Sequence, residues 1–302
     1  MPAVAALGSI FTLSILGGVA ISALYGAEYR VFGPDVNNPV ISLEYIALIL
    51  AFTAGVLLAA RYLGGKFIKV LFLGITGFTI YFVLLPVLYA GFPVDAAVYA
   101  ALGLAALLTL LLWKYPEWWV IDISGVLMSV GLCAILGISF GILPALLLLA
   151  LLAVYDAIAV YRTKHMIALA DTVMSESLPI MFVIPKRAGY SFLKKTKSLK
   201  EQIASGEERE ALFMGLGDVI IPGALVVSAF NFLETSPAFF GVAGNLAVAL
   251  VTLAGGVAGF CALMYFVLKG NPQAGLPLLN GGTIAAFLIG SFAVFGRIAI
   301  NL

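Results

Sequence analysis

Two aspartates interrupt long apolar runs: Asp156 in Val154-Tyr155-Asp156-Ala157, and Asp218 in Gly215-Leu216-Gly217-Asp218-Val219. An ionised carboxylate at hydrocarbon depth costs about 2.5 kcal/mol or more, so such a side chain faces a polar cavity or a partner. Asp156 lies six residues before Arg162, and Asp218 lies nine after Arg209. At about 1.5 Å per helical residue both carboxylates sit at matching depth, about 10 Å inside the same polar boundary. Two carboxylates that meet in a low-dielectric site titrate as a coupled pair holding one proton between them. That is what aspartic-protease chemistry requires. One carboxylate takes a proton from the attacking water while its protonated partner donates to the peptide carbonyl, and the roles reverse on collapse. The reaction uses no metal, no cofactor and no covalent intermediate.

The elements that must position these acids follow from composition. Of 302 residues, 63% are hydrophobic and 10% charged, with a mean hydropathy of +1.14. A soluble core cannot absorb that much apolar surface, so the chain reads as an integral, multi-pass protein of the cell membrane with the lipid bilayer as its surroundings. Runs of spanning length fall at about 2–25, 43–63, 67–90, 94–113, 118–138, 141–161, 211–231, 239–268 and 276–298. They predict an all-α fold of nine transmembrane helices, because continuous runs lack the alternation of a barrel. One membrane domain then occupies 1–302: helices 1–6 over about 2–161, a polar loop over 162–210, and helices 7–9 over about 211–298. Consecutive helices 6 and 7 carry the two acids and are expected to pack antiparallel. The first span lacks a basic leader and reads as a retained helix.

Charge sets the orientation. With the amino terminus in the cytoplasm, every Lys and Arg except Arg30 and Arg297 falls on the cytoplasmic side, which puts the carboxyl terminus outside. A net charge of +1 gives no reason to expect nucleic acid. The 162–210 loop is basic, through Lys194, Lys195, Lys197 and Lys200, and suits a solvated segment held near anionic lipid. Within it, the proline-bounded run 178–185 reads either as a strand at the membrane surface or as a partly inserted loop.

Other residues bear on the site. Gly215 and Gly217 remove side chains on either side of Leu216, which lets a substrate backbone or a neighbouring helix approach the acid. Tyr155 either orients Asp156 through its hydroxyl or simply packs. Pro277 and the glycines of Gly275-Leu276-Pro277-Leu278-Leu279-Asn280-Gly281-Gly282 predict an unwound start to helix 9. An extended substrate can pair with backbone exposed there, with the 178–185 run as the other edge, although the same residues also suit a loop that ends where helix 9 begins. Asp122, beside Trp118 and Trp119, reads as an interfacial acid reaching headgroups or Lys114. Asn231 and Asn245 suit interhelical hydrogen bonds, and Cys133 and Cys261 suit small apolar packing. The single histidine, His165, supplies neither a zinc HExxH motif nor a convincing Ser–His dyad.

Tyr155-Asp156, Gly215-Leu216-Gly217-Asp218 and Pro277-Leu278-Leu279 resemble the YD, GxGD and PAL motifs of the presenilin and signal peptide peptidase family. The nine-helix layout, the stretch Lys164 to Ala170 and the run 178–185 are similar to that family as well. The resemblance implies an intramembrane aspartyl endopeptidase that cuts transmembrane helices of membrane-protein substrates, with Asp156 and Asp218 catalytic and Pro277, Leu278 and Leu279 shaping the substrate site. Leu278 stands where the family has alanine, and Asn280 where a proline often follows. The topology matches presenilins rather than the inverted signal peptide peptidases. The short chain looks like a prokaryotic, archaeal presenilin homologue acting on single-span proteins or signal peptides without obligatory accessory subunits, and homo-oligomers are compatible with it. A secondary transporter or ion channel also explains paired intramembrane acids beside a broken helix. It does not predict the joint motif set.

Overall fold

The computed structural model describes residues 2–63, 65–163, 180–186, 189–191, 210–269 and 273–300. His165, most of the 162–210 loop and its lysine cluster lie outside them. Among the described residues there are nine α-helices: α1 Pro2–Ile21, α2 Val40–Leu63, α3 Gly65–Tyr89, α4 Val94–Lys114, α5 Trp118–Ser139, α6 Ile142–Ile158, α7 Gly217–Phe232, α8 Gly244–Leu268 and α9 Gly275–Phe295. Seven are long and apolar enough to cross a membrane, and the apolar helices Val40–Val56 and Gly217–Phe232 are shorter. The only sheet among these residues is a pair of antiparallel strands, β1 Met181–Pro185 and β2 Ala211–Gly215, in the register Met181 to Gly215 and Pro185 to Ala211.

Three sequence expectations change. The run 211–231 is not one helix, since 211–215 is strand β2 and the helix starts at Gly217. Ala-Leu-Phe-Met satisfies strand and helix equally by hydrophobicity; pairing with β1 decides, and the glycines let the chain turn from one geometry into the other. The run 239–268 becomes helical only at Gly244, because Phe239 pairs with Val242 around Phe240 and Gly241, both at positive φ. Residues from Gly275 onward form a regular helix rather than an unwound segment. Pro277 is the third residue of α9, where its missing N–H would have had no helical acceptor anyway.

The chain divides into two compact units. One comprises 1–7, 49–128 and 164–216. In it β1 and β2 share an apolar core in which Val183 and Ala211 pack with Leu73, Leu112, Val120 and Ile121, flanked by Trp118 and Tyr190. The first turns of α5 hold the strand: Asp122 accepts the Val183 N–H at 2.7 Å, and a Cβ on Gly125 would come within 2.9 Å of the Phe182 ring. Asp122 is 7% exposed. It is therefore a buried strand partner, not the interfacial acid expected beside Lys114, because the strand brings a backbone donor that the aromatic belt in the sequence does not disclose.

The other unit comprises 8–48, 129–163 and 217–302. Close approach of backbones builds it, as association between spanning helices requires. Cys133 is buried between Gly18 of α1 and Gly223 of α7, as a small apolar residue would be, while Cys261 is exposed; both thiols are free. Asn245 donates to the Phe230 carbonyl at 2.7 Å and Asn231 to Ser22 Oγ at 3.1 Å, the expected links between segments. Gly255 and Gly259 of α8 press on α9, where a Cβ on Gly259 would collide with the Leu278 carbonyl oxygen.

Candidate active site

Asp156 and Asp218 lie in the same unit and converge on the first turn of α9. One oxygen of Asp156 accepts the Leu276 N–H at 3.0 Å, with the Gly275 N–H beside it. Asp218 approaches the same glycine from the other helix: a Cβ on Gly275 would lie 3.5 Å from its Oδ1. The first four N–H groups of any α-helix lack an intrahelical acceptor, and the helix dipole favours negative charge at that end. The start of α9 has no side-chain cap of its own, and the Asp156 carboxylate takes that role. Asp156 is 6% exposed, so the charge that α6 carries into the membrane interior is met by backbone donors.

Each acid also stands next to an irregular stretch of helix. After Asp156, α6 ends at Ile158 and continues as a π-helical turn, Ala159–Thr163, a feature frequent at functional sites. Asp218 is the second residue of α7, and Pro222 inside that helix has no N–H to donate to the Asp218 carbonyl. Among the described residues nothing lies within 4 Å of a Cβ placed on Gly217.

The other candidates separate. Tyr155 is half exposed, turned away from the buried face that carries Asp156. Leu216 is buried; its N–H donates to the Ile180 carbonyl at 3.1 Å, so it anchors the strand pair rather than lining open space. Gly215 ends β2. Pro277 and Leu278 are half buried, and Leu279 is fully buried against Gly259 of α8. Asn280 is fully buried as well, and its Nδ2 donates to the Leu149 carbonyl at 2.9 Å. Leu149 precedes Asp156 by seven residues on α6, two turns along the same face. α6 and α9 are thus joined at two levels, by Asp156 at the acid and by Asn280 below it.

Two residues that hold the start of α9 in place are not legible as such in the sequence. Gly259 was one glycine among 32, although its Gly-x-x-x-Gly spacing from Gly255 is a helix-packing signal. Asn280 showed only as a departure from a motif. The bonds from Lys186 N to the Glu210 carbonyl and from Leu216 N to the Ile180 carbonyl make even-numbered residues face across the pair, so Met181, Val183 and Pro185 point outward from β1. On β1 the Val183 N–H is thus taken by Asp122 and Pro185 has none, and the hairpin's other edge is β2.

The chain as a whole is similar to known proteins. A family model described as signal-peptide peptidase, presenilin aspartyl protease matches residues 8–297. Among solved structures, a presenilin family intramembrane aspartate protease in a C222 crystal form shares 34% identity and a TM-score of 0.72, over 97% of this chain and 100% of that one. A presenilin family intramembrane aspartate protease in a P2 crystal form shares 35% identity with a TM-score of 0.64, over 94% and 97% of the two chains. No curated protein matches. Nothing in these matches supports a transporter. Over nearly its whole length the chain belongs to the signal-peptide peptidase and presenilin family of aspartyl proteases, and it is a multi-pass membrane protein with intramembrane aspartic endopeptidase activity.

Proposed function

We propose that Asp156 and Asp218 are the catalytic pair and that they hydrolyse a peptide bond held beside the first turn of α9. The observation that carries this is their convergence on Gly275 and Leu276 from two different helices. Water oxygen attacks the substrate carbonyl carbon as the ionised aspartate takes one of its protons. The protonated aspartate donates to the carbonyl oxygen, giving a gem-diol. On collapse a proton passes to the amide nitrogen, the C–N bond breaks, and a carboxylic acid and an amine leave. Leu276 N–H holds the Asp156 carboxylate in place through this cycle, while Pro277 and Leu278, half buried, flank the substrate.

A spanning helix keeps its peptide bonds inside its own hydrogen-bond ladder, so it must become extended before it can be cut. In the membrane the freed N–H and C=O groups then need partners. Addition of the substrate as a third strand along β2 supplies them. Ala211 and Gly215 turn their backbone groups away from β1, and Gly215 is only three residues ahead of Asp218. The substrates this reading favours are single-span proteins or signal peptides, cut by one membrane domain of the cell membrane with its amino terminus in the cytoplasm. No accessory subunit takes part.

The test is cleavage of a single-span substrate by the purified full chain in lipid, with product masses compared between wild type, Asp156→Ala and Asp218→Ala. Loss of every product in both variants, with helical content unchanged, is the expected result. Residual cleavage near the wild-type rate in either variant overturns the assignment of that aspartate.

A further inference from the structure

Asp122 takes no part in the chemistry above, yet it places a buried carboxylate inside a spanning helix. One oxygen accepts the Val183 N–H at 2.7 Å, and the other is buried without a hydrogen-bond partner among the described residues. An apolar residue would pack against the Leu73, Leu112 and Val183 core without the cost of burying a carboxylate. What an apolar residue cannot do is accept an N–H. Val183 is where that matters: of the three outward positions on β1, Pro185 has no N–H, and Val183 is central. An exposed strand edge with unpaired N–H groups is a template for any extended chain. Gly125, one turn along α5, admits the Phe182 ring, so two successive strand residues are seated on one helical face.

We propose that Asp122 is a positioning residue that closes the outer edge of β1 and pins the hairpin's register, so that a substrate strand is admitted along β2 alone. The proposal rests on the strand-addition reading above. With β1 docked by a hydrogen bond and a ring socket, the hairpin offers one edge and one register to the substrate. Without the Asp122 acceptor both edges compete. A strand shifted by two residues keeps the same side chains on each face, so loss of register shows as extra scissile bonds two residues from the main one.

The experiment compares wild type, Asp122→Ala and Asp122→Asn, as full chains in lipid, by product masses from a single-span substrate and by hydrogen exchange of the peptide covering 180–186. Asp122→Ala is expected to speed exchange at Val183 at least tenfold and to add products offset by two residues. Asp122→Asn keeps a carbonyl oxygen in the accepting position and restores both the wild-type exchange and the wild-type products, which a need for negative charge alone would not do. Unchanged exchange in Asp122→Ala overturns the role given to the Val183 bond. Faster exchange with an unchanged product pattern leaves the bond standing but overturns the edge control, and with it the strand-addition reading; the Asp156 and Asp218 assignment is tested separately. Should Asp122→Ala fail to fold, Asp122→Asn decides alone, and new products from that variant overturn the proposal.

Discussion

Asp156 and Asp122 are alike in nearly everything that a sequence or a burial profile records. Each is an acid in a spanning helix, 6% and 7% exposed respectively. Each accepts one backbone N–H from an element distant in sequence, Leu276 at 3.0 Å and Val183 at 2.7 Å. They differ in the origin of that donor and in its neighbours. Leu276 belongs to the first turn of a helix, and Asp218 reaches the adjacent Gly275. Val183 belongs to a strand edge, and the second oxygen of Asp122 has no partner among the described residues. Burial of a carboxylate therefore does not separate an acid proposed to react from one proposed to position. A second acid at the same helix turn does.

The largest expected effect tests that distinction directly. Asparagine keeps an accepting oxygen at either position, so Asp156→Asn and Asp122→Asn preserve both backbone bonds while removing a titratable group. Cleavage should fall about 1,000-fold or more in the first, in line with the weight of general acid–base catalysis. It should stay within about threefold in the second. Equal losses in steady-state assays on one substrate would break the comparison.

A smaller effect is expected where the donor helix is displaced and the acids are left intact. A side chain on Gly259 has no room beside the Leu278 carbonyl, so Gly259→Val must move the start of α9 relative to Asp156. A displacement of about 1 Å costs up to about 100-fold when reacting groups are held for attack. The rate constant for turnover, rather than KM, should carry a loss of about 10- to 100-fold. A wild-type rate would mean that the Leu276 contact does not set the geometry of the acid.

Asn280 sharpens the same point at lower amplitude. Asn280→Leu conserves approximate volume while removing the bond to the Leu149 carbonyl and the Oδ1 of a fully buried amide that has no partner among the described residues. Hydrogen bonds between membrane helices contribute about 0.6 kcal/mol on average and up to about 1.7. The variant should melt a few degrees lower and cleave a few-fold more slowly, measured by thermal unfolding and steady-state assay. An increase in stability with no loss of rate would assign the α6–α9 spacing to apolar packing.

How legible this was depends on the length scale of each signal. Nine apolar runs, with one acid inside each of two of them, are properties of continuous stretches and are visible in the sequence; the helical rise that puts both acids at one depth does not apply to Asp218, which follows strand β2 and is the second residue of α7. Asn231 and Asn245 read correctly, because a lone amide in an apolar run has few other uses. Misreadings arose where one local pattern suits two tertiary outcomes. Ala211 to Gly215 is apolar enough for helix or strand, and only its pairing with Met181 to Pro185 decides. Pro277 breaks a helix at most positions and starts one in the first turn. Asp122 reads as interfacial because its aromatic neighbours are adjacent in sequence, whereas its partner Val183 lies 61 residues away. No pattern within α5 encodes that distance.

The smallest effect concerns the opposite ends of the helices that carry Asp218 and Gly275. Arg297 Nη2 lies 3.3 Å from Glu234 Oε1, and both side chains are 70% exposed. The pair follows the last turns of α7 and α9, about 20 Å or more from the residues that open those helices. An exposed pair of this kind contributes about 0.2–1 kcal/mol and is screened by salt. Glu234→Gln should leave cleavage within about twofold and shift the melting temperature by no more than a degree or two, with the difference vanishing near 0.5 M salt. A tenfold loss of cleavage would show that the outer ends set the separation of α7 and α9. The backbone donors at Gly275 and Leu276 would then follow the acids instead of placing them, and the contrast between Asp156 and Asp122 would rest on Asp218 alone.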